Sequence, residues 1–357
     1  MAPMFTPVGE ADALSIEFRR QWAIVDSSDE LGLPWNRWSL GFGRWLHAHP
    51  DLDVMQLALP TGVGQSLIIL GFAFPALSPN YDLQQFLAQR FTAGNEADGV
   101  LSELAGTYVA ILTGDDGIKL FTDPGAIRGV YFSETKAAST PLLLPEVKRD
   151  TSLDSRFPFS APDDWYPGDL TPYSGVKALL ANHSLDLLTG ATKRFWPVRS
   201  PSRLSLDEAA ERVSSFFRGS VDRVTQEYSV LASLTGGKDS RINLAAAKKR
   251  LEWVSFFTLD NQTKDSCDLS RAIDLASRFK LKHKVVPVHE PEQWLLSLYD
   301  RASSFMSAGE RRHIVGACNL LSGSRVMHMN GNGGGMLKCY FWNNRRPRKV
   351  DSTILLR

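Results

Sequence analysis

The sequence predicts an α/β protein whose C-terminal half forms a doubly wound parallel sheet. Short apolar runs alternate with segments of helical periodicity between residues 205 and 329, a pattern typical of parallel sheets. Two glycine-rich turns, at 235–240 and 330–335, follow apolar runs, at the strand ends where such sheets bind ligands. The 357 residues are enough for about two domains.

The N-terminal half is predicted to be rich in strands. Residues 67–74 (LIILGFAF) form a continuous apolar run typical of a buried strand. Residues 106–113 and 118–123 are predicted to pair as a hairpin across the turn GDDG. Residues 35–45 (WNRWSLGFGRW) place aromatic side chains at helical spacing, which predicts either an amphipathic helix or an aromatic loop; the plainer interpretation is that these side chains pack in the core.

A long helix is predicted to lead into the C-terminal half. Ser205 to Glu208 form a capping box, in which a serine and a glutamate satisfy backbone groups at the start of a helix. Prolines and serines between residues 197 and 202 mark a domain boundary just before it. Beyond residue 228, strands are predicted at 230–234, 253–259, 284–288 and 325–329, with a helix at 266–280.

Composition and charge exclude several classes of function. A net charge of +1 gives no electrostatic argument for binding nucleic acid or a membrane surface. The longest apolar run is far shorter than the roughly 20 residues that span a bilayer, and the N-terminus lacks the pattern of a secretory signal. Cys267, Cys318 and Cys339 are too widely spaced for a disulfide framework or a CxxC metal site, which predicts a cytoplasmic location. The histidines lack the paired spacing of a zinc site.

Residues 231–241 (LASLTGGKDSR) contain the most specific chemistry in the sequence. An apolar strand, a Gly-Gly turn and a helix place several N–H groups and a positive helix end at one point, which is typical of a phosphate site. The two glycines allow the backbone to approach a ligand closely. Asp239 is then placed to hold Mg²⁺ on a polyphosphate, and the Thr235 and Ser240 hydroxyls to donate to its oxygens.

A plainer interpretation of the same segment stays open. A strand-to-helix turn can require glycine for its backbone alone, with Asp239 or Ser240 serving only as a helix cap. The spacing also differs from the GxxxxGK[ST] loop of other nucleotide-binding proteins, because no Lys-Ser/Thr pair closes it.

The string TGGKDS resembles the S-G-G-x-D-S pyrophosphate loop of ATP pyrophosphatases, with Thr235 in place of the first serine. Two earlier segments, GTYVAILTGDDGIKLFTDPGAIRGVYFS and TPYSGVKALLANHSLDL, are similar to the later strands of class II glutamine amidotransferase domains. In this order, from about residue 100 to 335, the motifs resemble the asparagine synthetase family. The resemblance implies an Ntn-hydrolase-like domain with αββα layers at 1–200 and an ATP pyrophosphatase domain at 201–357.

The resemblance also implies which residues bind ATP. The adenine would be held near Leu234 and Thr258, and Asp239 would be the Mg²⁺ ligand and, with Ser240, a catalytic residue. The family's S-x-D segment falls on Asp268, for which a simple charge at the start of a helix is the alternative. The family's first loop implies that Thr235, Gly236, Gly237, Asp239 and Ser240 contact the phosphates and Mg²⁺, and its second loop implies that Asn330 and Gly331 contact the nucleotide. Lys238 is predicted to lie near phosphate because it is inside the first loop. For Lys238, a solvent-facing position is the alternative.

Three features depart from the family's pattern. Residue 2 is alanine where the family has its nucleophilic cysteine, and no cysteine precedes Cys267, so hydrolysis of glutamine by a thiolate is not expected. In this respect the N-terminal half resembles β-lactam synthetases and lasso-peptide cyclases. Asn332, Gly335 and Met336 replace the carboxylates of the second loop, and the sequence ends at Arg357, before the family's further substrate-binding helices.

These features predict an ATP-dependent, AMP-forming amide-bond synthetase that activates a carboxylate for attack by an amine or ammonia. The alternative is a catalytically impaired relative that binds a nucleotide or a partner protein. A tRNA-modifying ATP pyrophosphatase is disfavoured by the near-neutral charge. The expected ligands are ATP, Mg²⁺ and a carboxylate substrate, without nucleic acid or membrane, while the amine donor and self-association into a homo-oligomer stay open.

Overall fold

The computed structural model describes residues 9–12, 16–59, 65–157, 166–197, 203–260, 267–306, 314–321, 323 and 325–331. Contacts divide these residues into two units. The larger unit takes in the described residues up to Ser220 and those of His289–Ser322, and the smaller unit takes in those of Val221–Val288 and those from residue 323 onward. Within the described ranges, no helix is long and apolar enough to cross a membrane.

The larger unit is built on two antiparallel sheets. Its strands are β1 Trp22–Val25, β2 Asn36–Gly41, β3 Arg44–Ala48, β4 Val54–Ala58, β5 Ser66–Pro75, β6 Leu104–Gly114, β7 Gly117–Thr122, β8 Tyr131–Ser133, β9 Lys136–Ala138, β10 Lys177–Ala178, β11 His183–Asp186 and β12 Thr192–Arg194. Among the described residues, the first sheet has the order β10-β8-β9-β1-β3-β2 and the second the order β12-β11-β7-β6-β5-β4. Its first helices are α1 Leu83–Thr92, α2 Ala97–Leu101 and α3 Thr151–Arg156, with 3-10 turns at Glu10–Asp12 and Pro141–Leu143.

The main core of this unit lies between the two sheets. Trp22 of the first sheet and Ile68 of the second belong to one cluster of fully buried side chains. A second cluster packs α1 and α2, through Leu87 and Leu101, against the other face of the second sheet. Strand β5 is therefore buried on both faces, which explains why residues 67–74 are continuously apolar and confirms the strand predicted there.

The aromatic segment 35–45 forms a hairpin, so the predictions of a helix or a loop for it were wrong. Strands β2 and β3 pair with Gly41 opposite Arg44. The two residues between them, Phe42 and Gly43, have φ angles of 52° and 67°, the left-handed conformation that a two-residue hairpin turn requires. The turn separates the inward and outward alternation of side chains in β2 from that in β3. The aromatic residues therefore recur at helical spacing although no helix is present. The hairpin predicted from residues 106–113 and 118–123 is confirmed as β6 and β7.

The smaller unit contains a parallel sheet, as predicted. Its strands are β13 Ser229–Ser233, β14 Val254–Asp260, β15 His283–Pro287 and β16 Val326–Met329. The associated helices are α4 Leu206–Glu227, which begins in the larger unit, α5 Lys238–Ala246 and α6 Cys267–Arg278, with 3-10 turns at Ala247–Lys249 and Leu251–Trp253. Among the described residues the strand order is β15-β14-β13-β16, and every neighbouring pair is parallel.

The strand order of this sheet reverses between β13 and β16. The chain passes from β13 outward to β14 and β15 and then returns to the opposite side of β13 as β16. The core on one face of the sheet joins Val230 and Phe256 of the strands to Leu244 of α5 and Ala272 of α6. In sheets of this kind, ligands bind outside the carboxyl ends of the strands at the point of reversal.

The start of α4 confirms the predicted capping box. The Ser205 N–H donates to the Glu208 carboxylate over 2.9 Å, and the Glu208 N–H donates to the Ser205 hydroxyl over 3.3 Å. The backbone N–H and hydroxyl of Ser205 hold the pKa of Glu208 below its usual range. These reciprocal bonds fix the residue at which the helix begins.

The last described helices of the larger unit are α7 Gln293–Ala302 and α8 Ile314–Leu320. The turn that follows α7 is held against the segment after β9 and against Tyr173 by the fully buried Ser304, which has a φ angle of 51°. Its hydroxyl pairs with Thr140 and accepts from the Leu142 N–H over 3.0 Å. Its carbonyl oxygen accepts from the Tyr173 hydroxyl over 2.7 Å. These contacts join residues 131 to 164 positions apart in the chain and fix the turn within the larger unit.

Gly106 provides a test of the packing of β5 against β6. A β-carbon at Gly106 would lie 2.1 Å from the Phe72 carbonyl oxygen, and the φ angle there is +128°. We therefore expect Gly106→Ala to lower the free energy of unfolding by about 2 kcal/mol or more, because the backbone must shift. Denaturant unfolding followed by tryptophan fluorescence measures the change.

The matched control is Gly99→Ala in α2. A β-carbon at Gly99 would meet nothing within 4 Å, and alanine is favoured over glycine in a helix by about 1 kcal/mol. We expect this variant to be as stable as the wild type or slightly more so. Equal destabilisation of the two variants would contradict the strand pairing described.

Candidate functional site

The candidate site lies at the carboxyl ends of β13 and β16, where the strand order reverses. Two segments meet there. Residues 234–237 connect β13 to α5, and Asn330 and Gly331 follow β16 directly. Both segments contain residues predicted from the sequence to bind ATP, so the sheet brings the two parts of the predicted site together.

The loop between β13 and α5 is fixed by its own hydroxyl groups. The Thr235 N–H donates to the Ser240 hydroxyl over 3.1 Å, and the Gly237 N–H donates to the Thr235 hydroxyl over 3.0 Å. The two hydroxyl oxygens are 3.0 Å apart, and Ser240 is almost fully buried. Thr235 and Ser240 therefore hold the shape of the loop, in addition to the ligand contacts predicted for them.

Helix α5 begins immediately after the two glycines. Its N-cap is Gly237, which has φ −69° and ψ 157° and no side chain that could cap the helix. The exposed Lys238 and the partly exposed Asp239 lie in its first turn. The positive end of the helix and its first N–H groups are therefore not covered by a capping side chain, an arrangement that favours an anion.

The segment after β16 packs against this first turn. A β-carbon at Gly331 would lie 2.9 Å from the Asp239 β-carbon and 3.3 Å from the Ser240 backbone nitrogen. The buried side chain of Asn243 donates to the Asn330 carbonyl oxygen over 2.9 Å. Only glycine allows the two loops to approach this closely, and the Asn243 amide fixes their distance.

Gly236 is enclosed by the start of α6. A β-carbon there would lie 2.7 Å from the Asp268 Oδ1 atom and 2.7 Å from the Arg271 Cδ atom. Asp268, predicted from the sequence as a site residue, is therefore next to the loop. Any side chain at residue 236 would have to displace one of these two charged residues.

Leu234, the first residue of the loop after β13, and Thr258 of the adjacent strand β14 are both buried. The Thr258 hydroxyl donates to the Leu234 carbonyl oxygen over 2.6 Å and pairs with the His283 Nε2 atom over 2.8 Å. Burial lowers the pKa of His283, so its neutral form is favoured near neutral pH. The residues predicted to lie near adenine thus form one hydrogen-bonded group.

Among the described residues, Asp239 and Asp268 are the carboxylate side chains that lie beside the loop. Within the described ranges, no group of three or more His, Cys, Asp or Glu side chains is arranged to hold a metal. A magnesium ion bound to a nucleotide needs only one or two protein carboxylates, because phosphates and water complete its shell. The departures at Asn332, Gly335 and Met336 lie outside the described residues.

Asn243, Arg271 and His283 belong to the site but were not singled out from the sequence. Asn243 lies four residues after Asp239 and Arg271 lies three residues after Asp268, spacings that place each pair on one face of its helix. That spacing could have identified Asn243 and Arg271. His283 is 25 residues from Thr258, and only the pairing of β14 with β15 brings them together.

Comparison with known proteins gives no assignment. Searches against protein-family models and against curated proteins both find no match. Among solved structures, the glutamine-dependent NAD⁺ synthetase from Acinetobacter baumannii, in complex with adenosine diphosphate, matches with a TM-score of 0.24 and 16% identity, over 42% of this chain. The chain spans only 28% of the length of that synthetase.

A second solved structure, described as the allosteric regulatory enzyme of purine biosynthesis, matches with a TM-score of 0.28 and 10% identity. The match covers 94% of this chain and 89% of that one. Similarity at this level establishes neither a family nor a function. The function of this chain is therefore inferred from the geometry of its own site.

Two substitutions of Asn243 test the contact between the loops. Asn243→Leu removes the donor to the Asn330 carbonyl oxygen, and we expect it to lower the free energy of unfolding by about 1 kcal/mol. Asn243→Asp places a carboxylate against that oxygen, so its deficit should be larger at neutral pH. The deficit should shrink as the pH falls through the raised pKa of the new carboxyl group, because the protonated form can donate again.

Urea unfolding of both variants, each compared with the wild type at the same pH, measures these deficits. A leucine variant of wild-type stability, together with an aspartate variant whose deficit does not change with pH, would show that Asn243 does not hold the second loop.

Proposed function

We propose that the chain binds ATP at the reversal of its parallel sheet and uses it as an AMP-forming amide-bond synthetase. The observation that supports the proposal most directly is the packing of Asn330 and Gly331 against the first turn of α5, beside the TGGKDS loop. Two loops that approach without side chains between them, next to an uncapped helix N-terminus, suit the phosphates of a nucleotide.

The proposed roles of the residues follow from their positions. The N–H groups of Gly236 and of the start of α5 would bind the phosphate oxygens, with Thr235 and Ser240 holding the loop in shape. Adenine would lie near Leu234 and Thr258. Asp239 would hold a magnesium ion, with Asp268 as a second carboxylate near the loop. Magnesium would supply positive charge that offsets the negative charge of the phosphates.

In the proposed reaction, a carboxylate oxygen of the substrate attacks the α-phosphorus of ATP. The bond between the α-phosphorus and the bridging oxygen of the β-phosphate breaks, and pyrophosphate leaves. An amine nitrogen then attacks the acyl carbon of the acyl-adenylate, loses a proton and displaces AMP. The loop N–H groups favour the first step because they face the charge that grows on the departing pyrophosphate.

We propose further that residues 1–200 form a domain like those of class II glutamine amidotransferases, but without glutaminase activity, and that residues 201–357 form the synthetase domain. The sequence has alanine at residue 2 and no cysteine before Cys267, so it lacks the thiolate that glutamine hydrolysis would need there. The amine would then be free ammonia or an amine of another substrate. Asparagine-synthetase-like chemistry is thus proposed for the synthetase step alone.

Nucleotide binding without turnover is the second candidate. It is favoured by Asn332, Gly335 and Met336, which occupy positions where the asparagine synthetase family, which this sequence resembles, has carboxylates. The two candidates share the ATP site and differ in whether pyrophosphate is released. Exchange of labelled pyrophosphate into ATP, in the presence of a pool of amino acids and other carboxylates, distinguishes them.

Substitution of Asp239 tests the proposed site. We expect the wild type to bind ATP in isothermal titration calorimetry and to bind it more tightly when magnesium is present. In Asp239→Asn, the enhancement by magnesium should fall by at least about tenfold, or roughly 1.4 kcal/mol, because a carboxylate ligand is lost. The affinity for ATP without magnesium should be retained or increased, since a negative charge near the phosphates is removed.

The matched control is Asp274→Asn on α6. Asp274 pairs with Arg278 over 2.9 Å and more than half of its side chain is exposed, so this variant should bind magnesium and ATP as the wild type does. A wild type that binds no ATP with or without magnesium would disprove the proposed function. Equal magnesium enhancement in wild type and Asp239→Asn would remove Asp239 as the metal ligand.

A further inference from the structure

Helix α6 places two opposite charges against the glycine of the loop. Asp268 and Arg271 are three residues apart, on one face of the helix. A β-carbon at Gly236 would lie 2.7 Å from Asp268 Oδ1, 2.7 Å from Arg271 Cδ and 3.2 Å from Arg271 Cβ. The aliphatic part of Arg271 therefore lies over the loop, and its guanidinium group is within a side chain's length of the loop N–H groups.

The two charged side chains lie side by side without forming an ion pair with each other. Within the part of the chain that the structure describes, neither Asp268 nor Arg271 forms an ion pair or a side-chain hydrogen bond. Arg271 is exposed. Arg278, seven residues further along the same helix, instead pairs with Asp274 over 2.9 Å. Arg271 thus differs from Arg278 in having its charge available beside the candidate phosphate site.

We propose that Arg271 binds the polyphosphate of the nucleotide held by the loop. This inference rests on the proposed function and adds a binding residue to the same site. A guanidinium group is planar, always charged and able to donate two parallel hydrogen bonds to a phosphate. It would add positive charge where the loop meets α6, whereas Asn330 and Gly331 approach the first turn of α5.

The position of Arg271 favours a phosphate contact over a contact with the base. Its side chain packs on Gly236, at the turn that leads into α5. The residues expected near adenine are Leu234, which directly follows β13, and Thr258 of β14; both are buried and they are bonded to each other. The contribution of Arg271 should therefore increase with the number of phosphates on the ligand.

The experiment is a titration of ATP, AMP and adenosine into the full-length chain with magnesium present. Arg271→Gln should weaken ATP binding by about tenfold, because charge-assisted hydrogen bonds are lost. It should weaken AMP binding less and leave adenosine binding unchanged. Arg271→Lys should recover part of the affinity for ATP, since it keeps the charge without the planar fork.

Arg278→Gln on the same helix is the matched control and should bind all three ligands as the wild type does. Thermal unfolding of each variant shows whether it is folded, and Arg271→Lys provides the test if Arg271→Gln is not. If ATP and adenosine lose affinity equally, or if Arg271→Gln binds ATP normally, the inference is overturned while the proposed function stands. A wild type that binds no ATP overturns both.

Discussion

The close approach of two backbone segments around Gly331 is the constraint on which the candidate site depends. A β-carbon there would be 2.9 Å from the β-carbon of Asp239, so the strand-end segment after β16 can meet the first turn of α5 only if residue 331 is glycine. The parallel pairing of β13 with β16 sets the direction of both segments. The bond from Asn243 to the Asn330 carbonyl oxygen then fixes their separation.

The electrostatics of the site follow from this arrangement. An uncapped helix start, two adjacent glycines and the exposed Lys238 concentrate positive potential at one point, while Asp239 lies beside it. An anion that also carries a cation satisfies both kinds of charge. A nucleotide polyphosphate with magnesium has this composition, whereas a simple anion would leave the Asp239 carboxylate facing it. The positive helix start and the Asp239 carboxylate therefore suit a nucleotide that carries a magnesium ion, and both lie where the strand order of the parallel sheet reverses.

Local patterns in the sequence were sufficient to predict the alternating strands and helices of the parallel sheet, the capping box at Ser205 and the loop at 235–240, because each of these patterns lies in residues close together in the chain. They failed where a turn or a distant contact decides the structure. Residues 35–45 were predicted as a helix or a loop, but the left-handed conformation of Phe42 and Gly43 allows them to form a hairpin. Asn243 bonds to a residue 87 positions away, and Ser304 to residues more than 130 away. Such partners become visible only when the strand order is known.

Hydrogen exchange measured by mass spectrometry, with and without ATP and magnesium, tests the central claim most directly. The claim is that the nucleotide binds between the loop after β13 and the segment after β16. It predicts slower exchange in peptides covering residues 231–243 and 326–331, with smaller changes at the start of α6. Protection confined to the larger unit, or no protection at concentrations that saturate binding, would contradict it.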